Sequence, residues 1–436
     1  MSQDAPTQRW KDYLLAVHVG AGFHLRSKQR EYCRAISKAL NAGAEKLKAG
    51  QSAREAVVAA VKTLEAEPCT NAGLGSNLTL QGRFEGDASV MDSAGNFGAV
   101  GALPGVAHPI VVAEAIASES QKPLSLGRVR PLMLAGDAAR QWAAARQCGG
   151  AVIDADAASG INVTASALQQ WKRYSAMIAE AEGAAELQPS SSREELTAEG
   201  NSGEVYDTVG AVCVTSSGET AAAVSSGGIA MKTPGRVGEA ALHGSGCWAE
   251  ASRVNTTRNG NQCPELDASS ESEKGAPSQP SSGFACSVTG VGERITKHAL
   301  ARLCAERVGK HARSSVGDQC CSALRRLQNE PLPNSAGVIA VRFTRTNSYS
   351  GTESDSETTQ QKRARRSAPK THVEFAAVHS AASMGFGYVK SDAKPVIKFL
   401  RQTPEESEKM PSRNSGRKRK KTSDYTLAAF GTSLLW

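Results

Sequence analysis

The sequence predicts an α+β fold, on three observations. The chain opens with a strand-like apolar run followed by two stretches of helical periodicity. A glycine-punctuated segment of short β-type runs occupies 71–105. A strand, Ser-Gly turn, strand pattern begins at Asp207-Thr208. At 436 residues, of which 40% are hydrophobic, the chain can bury one large core or two ordinary ones.

The elements follow in order. Leu14 to Val19 is apolar and partly β-branched, which predicts a buried strand, and Gly20-Ala21-Gly22 reads as a turn after it. Apolar residues recur at helical spacing from Ser27 to Leu47. Ser52 with Glu55 three residues on forms a capping box for a second helix, which Pro68 ends. In the stretch from Asn71 to Gly105 frequent glycines predict tight turns between buried strands close to a site. Helical patterns return at 110–118 and 132–147. The segment 184–206 is polar, acidic and serine-rich and reads as an exposed, flexible loop. It runs directly into the hairpin. Low-complexity insertions are expected at 255–282 and 344–369, and a disordered basic tail at 402–423.

The formal charge of +8 is concentrated in two places. Lys362, Arg363, Arg365 and Arg366 form one run, and Arg417, Lys418, Arg419, Lys420 and Lys421 form the other. Taking those nine charges from the total leaves the rest of the chain at −1. No aromatic residues interleave with either run, so direct nucleic-acid binding is not expected. The runs read as import signals or as solvated charge. The N-terminus lacks the apolar core of a secretion signal, and no run is long enough to span a bilayer. These features predict a nuclear or cytoplasmic protein. The ten cysteines show no metal-ligand spacing, so neither metal nor cofactor is expected.

The chemistry centres on Thr208. A threonine hydroxyl is a weak nucleophile until a base takes its proton. If Thr208 becomes the first residue of a chain, its own α-amine, with a reference pKa of about 7.7–8.0, can serve as that base. A flexible segment feeding a buried strand at Asp207-Thr208 is a place to hold that peptide bond strained for attack by the Thr208 hydroxyl. An isolated strand threonine needs no such explanation. The surrounding motifs supply the reason.

Those motifs are His18-Val-Gly-Ala-Gly22, Thr70-Asn-Ala-Gly-Leu-Gly-Ser-Asn-Leu-Thr-Leu80, Asp87-Ala-Ser-Val-Met-Asp92, Asn96-Phe-Gly-Ala-Val-Gly-Ala-Leu103, Asp207-Thr-Val-Gly-Ala-Val212, Pro234-Gly-Arg-Val-Gly238, Gly244-Ser-Gly-Cys-Trp-Ala-Glu250 and Thr289-Gly-Val-Gly-Glu293. In this order they resemble the Ntn-hydrolase family of plant-type asparaginases, glycosylasparaginases and taspases, with the taspase branch the nearer match. The resemblance covers most of 13–150 and 205–305; beyond it only Gly385-Phe-Gly-Tyr-Val389 is placeable. It implies a four-layer αββα sandwich, self-cleavage between Asp207 and Thr208, and a dimer of α/β units. Residues 1–207 would form one subunit and 208–436 the other, jointly making one catalytic domain.

The resemblance also implies roles. Thr208 matches the nucleophile and Ser226 the hydroxyl that hydrogen-bonds it. Thr289 and Gly290 match an oxyanion pair, and Asn71 an asparagine near the nucleophile. Arg236 matches the arginine that binds a substrate carboxylate, beside Gly290 and Gly292. Asparaginases place an aspartate at position 239 for the substrate's α-ammonium, and taspases lack that acid. This chain has Glu239, one methylene longer. The taspase match implies a threonine endopeptidase cutting proteins after Asp, with nuclear transcription or chromatin factors as substrates. An isoaspartyl peptidase/L-asparaginase is the alternative, and an inactive scaffold a second one.

Overall fold

The computed structural model describes residues 12–152, 154, 160–187, 208–252, 281–329, 336–346, 370–402 and 428–435. Asp207 lies outside them, as do the expected insertions apart from Ser281, Ser282, Thr344, Arg345 and Thr346, and the expected tail apart from Gln402.

The first strand, β1 (Tyr13–Gly22), is buried along its whole length. Its side chains alternate between two cores, as a period of two requires. Tyr13, Leu15 and Val17 face a core shared with helices α1 (Gln29–Lys48) and α2 (Ala53–Glu65). Leu14 and Ala16 face the second sheet. The chain does not turn at Gly20-Ala21-Gly22. The strand continues there through a bulge between His18 and Ala21, since β1 still pairs with β11 (Ser383–Lys390) on the far side of it. An extra residue in one strand re-aims side chains without ending the pairing.

Helix α2 starts at the predicted capping box: the Ser52 side chain accepts from the Glu55 backbone, and the Glu55 side chain accepts from Ser52. The glycine-rich segment contains β2 (Gly86–Asp92) and β3 (Phe97–Leu103), both buried. Gly98 lets α3 (Pro109–Ser120) lie directly on β3, because a Cβ there would meet the Ala113 carbonyl and the Ala117 amide. The helical pattern at 132–147 divides into a three-residue strand, β4 (Met133–Ala135), and helix α4 (Gly136–Ala145). Helix α5 (Ala165–Leu187) runs into the segment read as a loop; of 184–206, the first four residues are helical and the rest lie outside the described residues.

The hairpin β5 (Val209–Thr215) and β6 (Thr220–Ser226) lies at the centre of an eight-stranded sheet. The sheet is completed by β12 (Val396–Arg401), in the order β12-β11-β1-β5-β6-β2-β3-β4. A five-stranded sheet contains β7 (Cys247–Ser252), β8 (Ser282–Gly290), β9 (Ala336–Thr346), β10 (Lys370–His379) and β13 (Ala428–Leu435). Its outer face packs on α7 (Leu300–Lys310) and α8 (Val316–Leu324), reached through the short α6 (Gly292–His298). Helices cover both outer faces, and Val212, Val224, Ala285 and Val341 are among the residues filling the space between the sheets. This is the expected αββα layering.

Candidate functional site

The site is built where strand ends from both sheets meet. In the hairpin Val209 pairs with Ser225, so the next residues outward, Thr208 and Ser226, face each other although eighteen positions apart. On the other side of β6, Ser226 pairs with Asp87 at the start of β2. From the second sheet, β8 ends at Thr289 and Gly290. Gly210 allows this approach: a Cβ there would collide with Ser287 of β8 and His18 of β1, which hydrogen-bond to each other at 2.9 Å.

Thr208 is buried, and its Oγ1 has two partners: Ser226 Oγ at 3.0 Å and Glu239 Oε1 at 2.6 Å. One hydroxyl carries one proton, and the shorter bond to a carboxylate is the stronger claim on it. The Ser226 oxygen accepts from the Gly228 amide at 3.0 Å, leaving its own hydrogen to turn toward Thr208 Oγ1.

Glu239 sits on a short 3-10 turn, Glu239–Ala241, after the Pro-Gly-Arg-Val-Gly segment. Burial pushes its pKa up, opposed by the Thr208 hydrogen bond and by Arg236. Gly292 lies between these two side chains. A Cβ there would stand 2.7 Å from Arg236 Nη2 and closer still to Glu239 Oε2. The Arg236 guanidinium is held on one edge by Glu293, at 2.8 Å and 2.9 Å, while its Nη1 is buried with no hydrogen-bond partner.

The Thr289 hydroxyl is fully buried and also has no hydrogen-bond partner. Gly290 beside it has a φ of 135°, a conformation that favours glycine. Asn71 stands behind the loop that follows Ser226. Its amide donates to the Gly228 carbonyl at 2.9 Å, its carbonyl oxygen accepts from the Asn77 amide at 3.0 Å, and its backbone carbonyl accepts from Gly227 at 2.9 Å. The structure therefore brings Thr208, Ser226, Arg236, Glu239 and Gly292 together, with Asn71 bracing the loop beside them and Thr289 and Gly290 ending the strand from the second sheet. Asp207 lies outside the described residues.

Several supporting residues escaped the sequence reading. Asp87 accepts from the Ala102 and Gly238 amides, both at 2.8 Å, and so fixes the segment between Arg236 and Glu239. Burial raises its pKa, opposed by Lys232. Lys232 is 2% exposed, donates to the Glu85 carbonyl at 2.6 Å, and is pushed down by burial. Glu65 is buried one row behind the site, accepting from Ser225 Oγ at 2.6 Å and the Ile110 amide at 3.0 Å. The sequence signal was placement: His18 and Asp87 each open a family-like motif, and Glu65 interrupts an apolar pattern. Among the described residues there is no cluster of side chains suited to a metal, and no helix is long and apolar enough to cross a membrane.

Known proteins give this arrangement a context. Residues 11–266 match the family profile described as Asparaginase. The isoaspartyl peptidase of Salmonella typhimurium is 34% identical over 249 residues, which is 55% of this chain and 71% of that protein. The isoaspartyl peptidase of Escherichia coli is 34% identical over 251 residues, 55% of this chain and 69% of its own length. A probable isoaspartyl peptidase/L-asparaginase of Drosophila pseudoobscura pseudoobscura is 28% identical over 342 residues, 76% of this chain and 90% of its own. The profile spans more than half of the chain, and on that ground the chain belongs to the asparaginase family of Ntn hydrolases.

Proposed function

We propose that this hydrolase cuts amide bonds of aspartyl-type substrates, using Thr208 as an N-terminal nucleophile after cleavage at Asp207-Thr208. The observation that carries the reading is the convergence of Thr208 Oγ1, Glu239 and Arg236 about Gly292. It sets a hydroxyl, an acid and a guanidinium within one small space. A substrate with a free amino-acid end presents an ammonium, a carboxylate and, one carbon further, a side-chain amide. Arg236 suits the carboxylate because its planar fork pairs with two oxygens, and Glu239 suits the ammonium. The freed α-amine of Thr208 takes the hydroxyl proton and returns it to the leaving nitrogen. The Thr289 hydroxyl, which has no other partner, and the Gly290 N–H stabilise the tetrahedral oxyanion. Ser226 orients the nucleophile.

This reading makes the protein an isoaspartyl peptidase or L-asparaginase, the activities for which its relatives are named. Purified, self-cleaved protein is expected to hydrolyse a β-aspartyl dipeptide and to release ammonia from L-asparagine. Inertness toward both would exclude it. A second reading has its own support in the sequence: Asp207 itself precedes the bond to be cut, and the runs 96–103 and 244–250 are taspase-like. There the arginine holds the aspartyl side chain while the backbone carbonyl is attacked, giving an endopeptidase acting after Asp, with nuclear factors as its substrates. Cleavage of an internal Asp-containing peptide, with no ammonia from asparagine, is the outcome that selects it. In either case we expect a dimer of α/β units.

A further inference from the structure

Before the chain is cut, Thr208 has no α-amine. Its nitrogen is an amide and accepts no proton, so the reaction that creates the nucleophile needs a different base from the one that uses it. Among the described residues, Thr208 Oγ1 is hydrogen-bonded to one ionisable group, Glu239, at 2.6 Å. Its other partner, Ser226, is an equally weak hydroxyl whose oxygen already accepts from Gly228. His18 lies on the backbone side of Thr208, with its Nε2 engaged by Ser287.

From this geometry we infer that Glu239 is the proton acceptor for self-cleavage. The inference rests on the reading of Thr208 as the nucleophile. Glu239 Oε1 removes the hydroxyl proton as Oγ1 bonds to the carbonyl carbon of residue 207. The carbon–nitrogen bond then breaks, and Glu239 returns the proton to the Thr208 nitrogen. This leaves residue 207 as an ester on Oγ1 and Thr208 with a free amine. Water adds to the ester carbonyl, the carbon–Oγ1 bond breaks, and the products are a carboxyl group on residue 207 and a free hydroxyl on Thr208. Burial and the charge of Asp87 oppose ionisation of Glu239, while the Thr208 hydroxyl and Arg236 favour it. The second Glu239 oxygen lies beside the Arg236 guanidinium, Lys232 is close enough to interact with it, and the nearby Asp87 is held by two backbone amides. Once the amine exists it takes over as base, and the carboxylate is released to meet a substrate ammonium. One acid thus serves two successive reactions. Gly292 keeps the room for it, since a side chain there would displace the carboxylate.

The test follows the rate of self-cleavage by intact mass in the full-length chain. A general base contributes about 10²–10⁴-fold, so Glu239→Gln is expected to slow cleavage at least about a hundredfold. A thiol ionises near pH 8.5 without help. The Thr208→Cys, Glu239→Gln double variant is therefore expected to cleave within about tenfold of Thr208→Cys alone. Cleavage of Glu239→Gln at the wild-type rate, with Thr208→Ala uncut, would overturn the base and leave the nucleophile standing. A double variant slowed relative to Thr208→Cys as much as Glu239→Gln is slowed relative to wild type would make Glu239 a positioning residue and overturn the proposal. Cleavage of Thr208→Ala would remove the nucleophile, and this inference with it.

Discussion

Thr289 occupies a position that rewards substitution. Its hydroxyl is buried at the end of β8 and bonded to nothing, a state that costs free energy unless a ligand completes it. Thr289→Val keeps the shape and the strand preference and removes only the donor. If this hydroxyl stabilises the oxyanion, kcat on the cleaved substrate falls about 10²–10³-fold with little change in KM; a fall under about threefold would remove Thr289 from the mechanism. At this scale the sequence was legible through its motifs: the roles of Thr208 and Ser226 came from the family resemblance, and the hairpin supplies the physical reason for their pairing. Asp87 and Lys232 were not legible. A buried charge is tolerated only where partners far along the chain satisfy it, and those partners, Ala102 and Gly238 for the one and Glu85 for the other, are joined to them by folding.

Among the elements, the strands around the site owe their closeness to small residues. Gly98 holds β3 against α3 at backbone distance, so Gly98→Ala must push the helix away or bend the strand. Overpacking of this kind costs about 1–3 kcal/mol. Chemical denaturation of the uncleaved Thr208→Ala background measures it cleanly, and an unchanged midpoint would contradict the packing described for Gly98. The same density of glycine explains why element boundaries were read imperfectly. Gly20-Ala21-Gly22 has the composition of a turn and the structure of a bulged strand, because the choice is made by β11, more than three hundred residues away. The pattern at 132–147 was helical for most of its length, but its first residues pair in parallel with β3. The capping box at Ser52 was read correctly because all its atoms are local.

Over the whole molecule, the proposed cut divides the chain without dividing the fold. In the eight-stranded sheet, β1 from the first segment lies between β11 and β5 of the second, and β2 from the first pairs with β6 of the second. The two products are expected to elute as one species under native conditions and to separate only in denaturant; separation without denaturant would contradict this topology. Buried histidines add a dependence on pH. His379 is fully buried, its Nδ1 bonded to the Ala381 carbonyl and its Nε2 without a partner, and burial holds its pKa down to about 4. The unfolded chain takes up that proton near pH 6.5 and the folded chain does not. The contribution of His379 is therefore complete above about pH 6.5 and is lost as the pH falls toward 4, at up to about 1.4 kcal/mol per unit. A His379→Gln variant, which cannot titrate, should gain on the wild type by that slope between pH 6.5 and 4.5. A difference in unfolding free energy that stays constant with pH would refute the assignment.

Whether Thr208 frees itself to become the nucleophile is decided by the intact mass of the purified chain beside its Thr208→Ala variant. Two wild-type fragments matching 1–207 and 208–436 are expected, together with a single uncut mass for the variant. One full-length mass for both after prolonged incubation, or the same two fragments from the variant, would contradict self-cleavage by Thr208.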